Sequence, residues 1–195
     1  VEVVYLASHR DELPKIDEEF PQLAGMYDMT CQPIDVQAIA DCADVAFLCL
    51  PHVVSMQWAG MLVDAGLRVI DLSADYRLKS AGLYEEIYGH THEDSAHLDE
   101  AVYGLPEWQA DRIASARLIA NPGCYPTGSI LSIAPLVKAG LVDAQHIVIN
   151  AASGITGAGR AAKAHLHFPE ANEGFTAYAA GDHRHQPEIE QTITH

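Results

Sequence analysis

Cys124 is the residue of this chain best placed to do chemistry. It follows Asn121-Pro122-Gly123 and precedes a run in which Ile130, Leu131, Ile133, Ala134, Leu136 and Val137 mark a helix that Gly140 ends. A thiol at a turn-to-helix junction meets unpaired backbone N–H groups and the positive end of the helix dipole, and both favour the thiolate. The same amides can hold an oxyanion formed on a carbonyl that the sulfur attacks. Pro126 suits a first turn, where its missing N–H would have no helical partner. Residue 124 is therefore expected to be a nucleophile. Cys31, Cys42 and Cys49 lack such a setting and read as small buried hydrophobes. No C-x-x-C spacing occurs, so free thiols in a reducing, cytoplasmic compartment are the simpler expectation.

Histidine supplies the second feature. Three H-x-H pairs occur, His90/His92, His165/His167 and His183/His185. In an extended segment i and i+2 point the same way, so each pair could chelate a metal. No H-E-x-x-H accompanies them, and with 11 His in the chain some pairs arise by chance, so no metal is expected. His183-Arg184-His185-Gln186-Pro187-Glu188 differs, because it packs two acid/base candidates and a cation just before a Pro-started helix. The third feature is Ser153-Gly154-Ile155-Thr156-Gly157-Ala158-Gly159-Arg160. Its glycines would let the backbone approach a ligand closely, and Arg160 could meet an anion.

The elements that must position these residues alternate between strand and helix. Apolar runs at 3–7, 43–50 and 67–72 read as strands, and a helix over 53–65 with Gly66 as terminator joins the second to the third. That is a βαβ unit, which implies a parallel sheet with covered faces. Ligands in such sheets bind outside the carboxyl ends of the strands, which puts Ser8–Arg10, Leu50-Pro51-His52 and Ser73-Ala74-Asp75 on one rim. Residues 76–108 read as loops and short helices. A further strand ends at Ile119-Ala120, another is expected over 146–152, and the residues from Pro187 read as a helix beginning. The change of character near Ala120 divides the chain into expected domains 1–120 and 121–195. Both ends are expected to be cut from something longer.

With 11 Lys and Arg against 27 Asp and Glu, the net charge is −16. Such a balance repels phosphate backbones and anionic lipid, arguing against nucleic-acid and membrane partners. Apolar residues make up 49% of the chain and charged residues 19%, which is a globular composition.

Three segments together resemble the signature segments of the N-acetyl-γ-glutamyl-phosphate reductase family, within the aspartate-semialdehyde dehydrogenase superfamily. They are Asn121-Pro122-Gly123-Cys124-Tyr125-Pro126-Thr127, the glycine turn 153–160, and His183-Arg184-His185-Gln186-Pro187-Glu188-Ile189. Phe47-Leu48-Cys49-Leu50-Pro51-His52 and Asp71-Leu72-Ser73-Ala74-Asp75-Tyr76-Arg77 support them, in the family's order. The resemblance implies an α/β fold: a Rossmann-like dinucleotide-binding domain, here without its first strand and glycine turn, followed by part of an α+β catalytic and dimerisation domain.

It also implies a reaction, the NADPH-dependent reduction of an acyl phosphate to an aldehyde through a thioester on Cys124. His185 is the expected acid/base. His183 is expected to contact substrate, although the residues alone leave open which of the two handles the proton. Ser8 and Arg10 resemble the family's contacts to the 2′-phosphate of NADP, with a polar strand end as the bland alternative. Leu50, Pro51 and Ser73 would line the cofactor groove, and Ser153, Gly154, Gly157 and Gly159 would meet the cofactor from the second domain. Asn121 and Arg77 are candidates for holding substrate, the alternative for Arg77 being a solvated surface residue. The expected partners are a small acyl-phosphate substrate and further copies of the chain, as a dimer or tetramer. Competing readings are a lysine-pathway relative acting on a carrier-bound aminoadipyl phosphate, a non-enzymatic binding protein on the same fold, and a metal-dependent hydrolase.

Overall fold

The computed structural model describes residues 1–194, which fall into two compact units, Val1–Pro122 and Gly123–His195. The first unit runs β1 (Ala7–Ser8), α1 (Ile16–Glu19), β2 (Gln32–Pro33), α2 (Val36–Ala40), β3 (Val45–Leu48), α3 (Met56–Asp64), β4 (Arg68–Asp71), α4 (Ala81–Tyr88), α5 (Ser95–Leu98), β5 (Val102–Tyr103), α6 (Pro106–Ser115) and β6 (Leu118–Ala120). Every named strand pair is parallel. β3, β4, β6 and β5 form one sheet in that order, while β1 and β2 pair separately.

The expected β3–α3–β4 unit is present. Leu48 stands opposite Asp71, and Asp71 opposite Ala120, so three strands end in line at one rim. One sheet face buries Leu48, Val69, Leu118 and Ala120 against Met56, Ala59, Leu62 and Val63 of α3 and against Tyr76, Leu78 and Tyr84. Each large apolar side chain so buried contributes roughly 1.5–3 kcal/mol. Val102, Ala116 and Ile119 form a smaller cluster with Ile70 and Ile113. Val45 and Phe47 alternate away from the main core and stay exposed, Phe47 at 58%.

Several expectations need correction. Only Ala7–Ser8 of the first apolar run is strand, because its ladder partner, Gln32–Pro33, is itself two residues long. The helix expected over 53–65 starts at Met56, since Val53 holds a left-handed backbone with φ of 72°. That conformation is strained for a β-branched residue and cannot continue into a helix. Gly66, with φ of 100°, ends the helix turn as expected. Residues 76–108 hold the short helices expected, α4 and α5, but also the strand β5, which the polar composition conceals. Cys42 and Cys49 are exposed and Cys31 half-buried, so none of the three is a core residue; all four thiols are free.

In the second unit α7 (Cys124–Lys138), α8 (Phe168–Ala171) and α9 (Gln186–Ile193) follow one another. α7 packs on α9, burying Ile130 and Ala134 of one and Ile189 and Thr192 of the other. The strand expected over 146–152 does not form. Val148 is 84% exposed, and a β-branched run without a ladder partner has nothing to pair with. Among the described residues, no helix is long and apolar enough to cross a membrane.

Candidate active site

Cys124 is the first residue of α7 and is exposed. Gly123 caps the helix, and its carbonyl accepts from both the backbone N–H and the hydroxyl of Thr127, at 3.0 and 2.9 Å. This closes the first turn around the thiol. Pro126 has no N–H to give, so Cys124 and Tyr125 carry the leading amide donors of the helix. A thiolate at 124 lies at the positive end of a 15-residue helix.

The packing of α9 on α7 brings the histidines to this end. The Tyr125 ring meets the His183 ring edge-on at 5.2 Å and the His185 ring at 6.0 Å. The two imidazoles are 4.8 Å apart. Tyr178, which the sequence reading did not single out, stands 5.7 Å from His183 and donates its hydroxyl to that of Tyr125 at 2.7 Å. That hydrogen bond, with some burial, pushes the Tyr178 hydroxyl up to about 12. The histidine segment is a turn rather than extended. Gln186 N–H bonds the His183 carbonyl at 2.8 Å, and His185 takes a helical backbone as the cap of α9. The rings are neighbours because the chain curls, not because i and i+2 share a strand face.

The two histidines are held differently. His183 is half-buried, and its Nδ1 accepts from the His185 backbone N–H at 3.1 Å. Protonation would place a hydrogen on that nitrogen and break the bond. Burial, and then the Arg184 charge, push His183 below its ordinary value of 6.5. His183 is therefore kept neutral. His185 is buried, at 6% exposure.

The glycine turn forms a short 3-10 segment, Ile155–Ala158, in which every residue from 153 to 160 is exposed. Gly159 has φ of 81°, a conformation that disfavours any other residue, and a side chain at Gly157 would strike the Ser153 hydroxyl. Ser153 donates to the Gly154 carbonyl, and Gly154 itself meets nothing close. Gly159, Arg160, Lys163 and His167 line a cavity of about 500 Å³ whose other walls are mainly apolar, among them Ile155 and Leu166.

In the first unit the remaining candidates lie at strand ends, Leu50, Pro51 and Ser73 after β3 and β4, but Ser8 and Arg10 after β1, which pairs in a separate sheet and not in the one rim expected. Ser8 accepts from the Arg10 N–H at 3.2 Å, and the Arg10 guanidinium lies 3.5 Å from Glu19 with 60% of its side chain exposed. So weak and exposed a pair contributes under about 1 kcal/mol and can yield to a phosphate. Leu50 is half-buried and Pro51 exposed, beyond the end of β3. Ser73 is buried: its hydroxyl donates to Asp71 at 2.7 Å and accepts from the Asp75 N–H at 3.0 Å. Its hydroxyl ties the rim loop to both carboxylate-bearing residues.

Arg77 is 7% exposed and not a surface residue. It donates to the carbonyls of Asn121 at 2.8 Å and Leu72 at 2.9 Å, so it ties the rim loop to the segment leading to Cys124. Asn121 donates its backbone N–H to the Asp71 carbonyl and its side-chain amide to the Pro122 carbonyl. Both serve the backbone, which weakens their assignment as direct substrate ligands.

Two buried carboxylates that the sequence reading passed over organise this rim. Asp71 accepts from the Ser55 hydroxyl at 2.6 Å and from Ser73; burial raises its pKa despite those bonds. Asp75, with no exposure, accepts from the N–H groups of Val53 and Met56 at 3.0 Å and from the Tyr84 hydroxyl at 2.7 Å. It thereby caps α3 from a distance and holds the strained Val53. Their only signal in the sequence is two acids in a run that otherwise reads as a strand end. His92 bonds the Asp75 carbonyl at 2.8 Å. Among the described residues no three His, Cys, Asp or Glu side chains gather as metal ligands.

Comparison with known proteins agrees with this division. Residues 1–116 match the family model described as semialdehyde dehydrogenase, NAD binding domain, and residues 124–195 match semialdehyde dehydrogenase, dimerisation domain. Relatives named N-acetyl-gamma-glutamyl-phosphate reductase include those of Rhodopirellula baltica, 47% identical over 98% of this chain and 56% of the relative, and Heliobacterium modesticaldum, 48% identical over 99% and 55%. That of Akkermansia muciniphila is 54% identical over 83% of this chain and 47% of its own length. The chain thus spans about half the length of the curated relatives it matches. Its two matched domains, in the same order as its two compact units, place it plainly: the chain belongs to the semialdehyde dehydrogenase family.

Proposed function

We propose that the intact protein reduces N-acetyl-L-glutamyl 5-phosphate to N-acetyl-L-glutamate 5-semialdehyde and phosphate with NADPH, as a cytoplasmic homo-oligomer serving arginine biosynthesis. The observation that carries this reading is the exposed thiol at the first position of α7, next to a tyrosine in ring contact with both histidines. The names of the relatives supply the substrate. The Cys124 thiolate attacks the acyl carbon, the bond from that carbon to the phosphate oxygen breaks, and phosphate leaves with the electron pair. A thioester remains, so one difficult displacement becomes two easier steps. The Cys124 and Tyr125 amides stabilise the oxyanion of each tetrahedral stage. Bound NADPH supplies hydride to the acyl carbon. His185 protonates the oxygen there and takes the proton back as the C–S bond breaks and the aldehyde departs. His183, held neutral, offers Nε2–H to substrate.

The first unit fits a dinucleotide: the parallel strands β3, β4 and β6 end together at one rim, and Ser8 and an exposed Arg10 guanidinium follow the separate strand β1. Ser8 and Arg10 would hold the 2′-phosphate, Leu50 and Pro51 the groove, and Ser73 the loop shape. Ser153, Gly154, Gly157 and Gly159 would meet the cofactor from the second unit, a reading supported by the cavity that Gly159 and Arg160 line. Arg10→Glu is expected to weaken NADPH binding much more than NADH binding, because a carboxylate repels the 2′-phosphate yet accepts from a free 2′-hydroxyl. Titration with both nucleotides checks this, and equal losses would make Arg10 a surface residue only. The reaction itself is tested in reverse, as NADPH formation from N-acetylglutamate semialdehyde. Turnover should require inorganic phosphate; turnover independent of phosphate contradicts the acyl-phosphate chemistry.

A further inference from the structure

Glu188 is among the most deeply buried ionisable residues of the chain, at 1% exposure. Carboxylates are rarely buried to that degree unless hydrogen-bonded. It is the third residue of α9, the position from which a Glu ordinarily reaches back to the N–H of its own helix cap. That cap is His185, whose N–H is already given to His183 Nδ1. Glu188 turns instead to the other helix and accepts the Gly123 N–H at 2.8 Å. Gly123 is the cap of α7 and the residue immediately before the thiol. The starts of both helices thus converge on this one carboxylate, an arrangement their dipoles favour.

We infer that Glu188 is a positioning residue that latches α9, and with it His185, to the Gly123 backbone. It thereby fixes the direction of the Cys124 and Tyr125 amides and keeps the acid/base on the nucleophile's helix. The inference rests on Cys124 being the nucleophile. The latch needs an acceptor at this place, not a negative charge. Glu188→Gln keeps an acceptor oxygen, whereas Glu188→Ala removes it and lets the first turn of α7 rotate.

The test is carried out on the intact protein in two ways. Alkylation of Cys124 by iodoacetamide at neutral pH, followed by peptide mass spectrometry, needs neither substrate nor cofactor, so its outcome is independent of the proposed reaction. Glu188→Ala is expected to slow alkylation at Cys124 by about tenfold as the amides swing off the thiolate, with the Cys42 and Cys49 rates unchanged as a check on folding. Glu188→Gln should alkylate at about the rate of the unmodified protein, because it keeps the acceptor oxygen for the Gly123 N–H. In turnover, Glu188→Ala should lower kcat with little change in KM, and Glu188→Gln should restore it. Cys124 alkylating in Glu188→Ala at the unmodified rate overturns the latch. So does a Glu188→Gln protein as impaired as Glu188→Ala, since the charge and not the acceptor would then be what matters.

Discussion

Cys124→Ser in the intact protein is expected to lose turnover by on the order of 10⁴-fold or more, a scale set by removal of a covalent nucleophile, while binding NADPH as before. Sulfur is the intrinsically stronger nucleophile, and a serine hydroxyl needs a base to take its proton before it can attack. No carboxylate or lysine adjoins residue 124 in sequence to act as its base, and the Nδ1 lone pair of neighbouring His183 is engaged by the His185 N–H. Nucleotide binding is expected to persist because residue 124 is not among the proposed dinucleotide contacts. Steady-state rates with a parallel fluorescence titration check both halves. Appreciable turnover by the serine variant would mean that phosphate leaves without a bond to sulfur.

The second large effect belongs to the histidines. His185→Asn is expected to slow single-turnover reduction on the order of 10²–10⁴-fold, the usual cost of losing a general acid. Asparagine keeps approximate size and polarity but exchanges no proton near neutral pH. His183→Asn should mainly raise the substrate KM, since a residue that touches substrate without handling the proton contributes to binding. The structure gives that division a reason. To carry a proton, His183 would have to surrender the hydrogen bond its Nδ1 accepts from His185 N–H, and burial already holds its pKa down. Rapid-quench measurements on the two variants decide the matter, and a larger chemical defect in His183→Asn reverses the assignment.

What the sequence made legible is what short-range physics dictates. The apolar runs around 45–48 and 68–71, the glycine that ends α3 and the turn that starts α7 each follow from a few consecutive residues. Cys124 could be picked out because its setting is local. Arg77 read as a substrate candidate or a surface cation because its partners, the carbonyls of Leu72 and Asn121, are assembled by the fold. Ser73 read as lining the cofactor groove, and its neighbours in sequence do not reveal that its hydroxyl bonds the Asp71 carboxylate and the Asp75 N–H. Val53 read as helix since side-chain periodicity carries no information about a φ of 72°. Residues 146–152 read as strand because alternation states a preference, whereas a strand exists only with a partner to bond. Glu188 lay in a recognised segment, and its spacing of three from His185 was the available signal. Its bond to Gly123 crosses from one helix to another, which no periodicity reports.

The most direct test is to mix the intact protein with N-acetylglutamyl 5-phosphate in the absence of any nicotinamide nucleotide and quench in acid within the first turnover. A stoichiometric burst of phosphate is expected, with an N-acetylglutamyl mass increment confined to the peptide carrying Cys124 and absent from Cys124→Ser. Phosphate release without an acylated Cys124, or acylation at Cys31, Cys42 or Cys49 instead, would contradict the account.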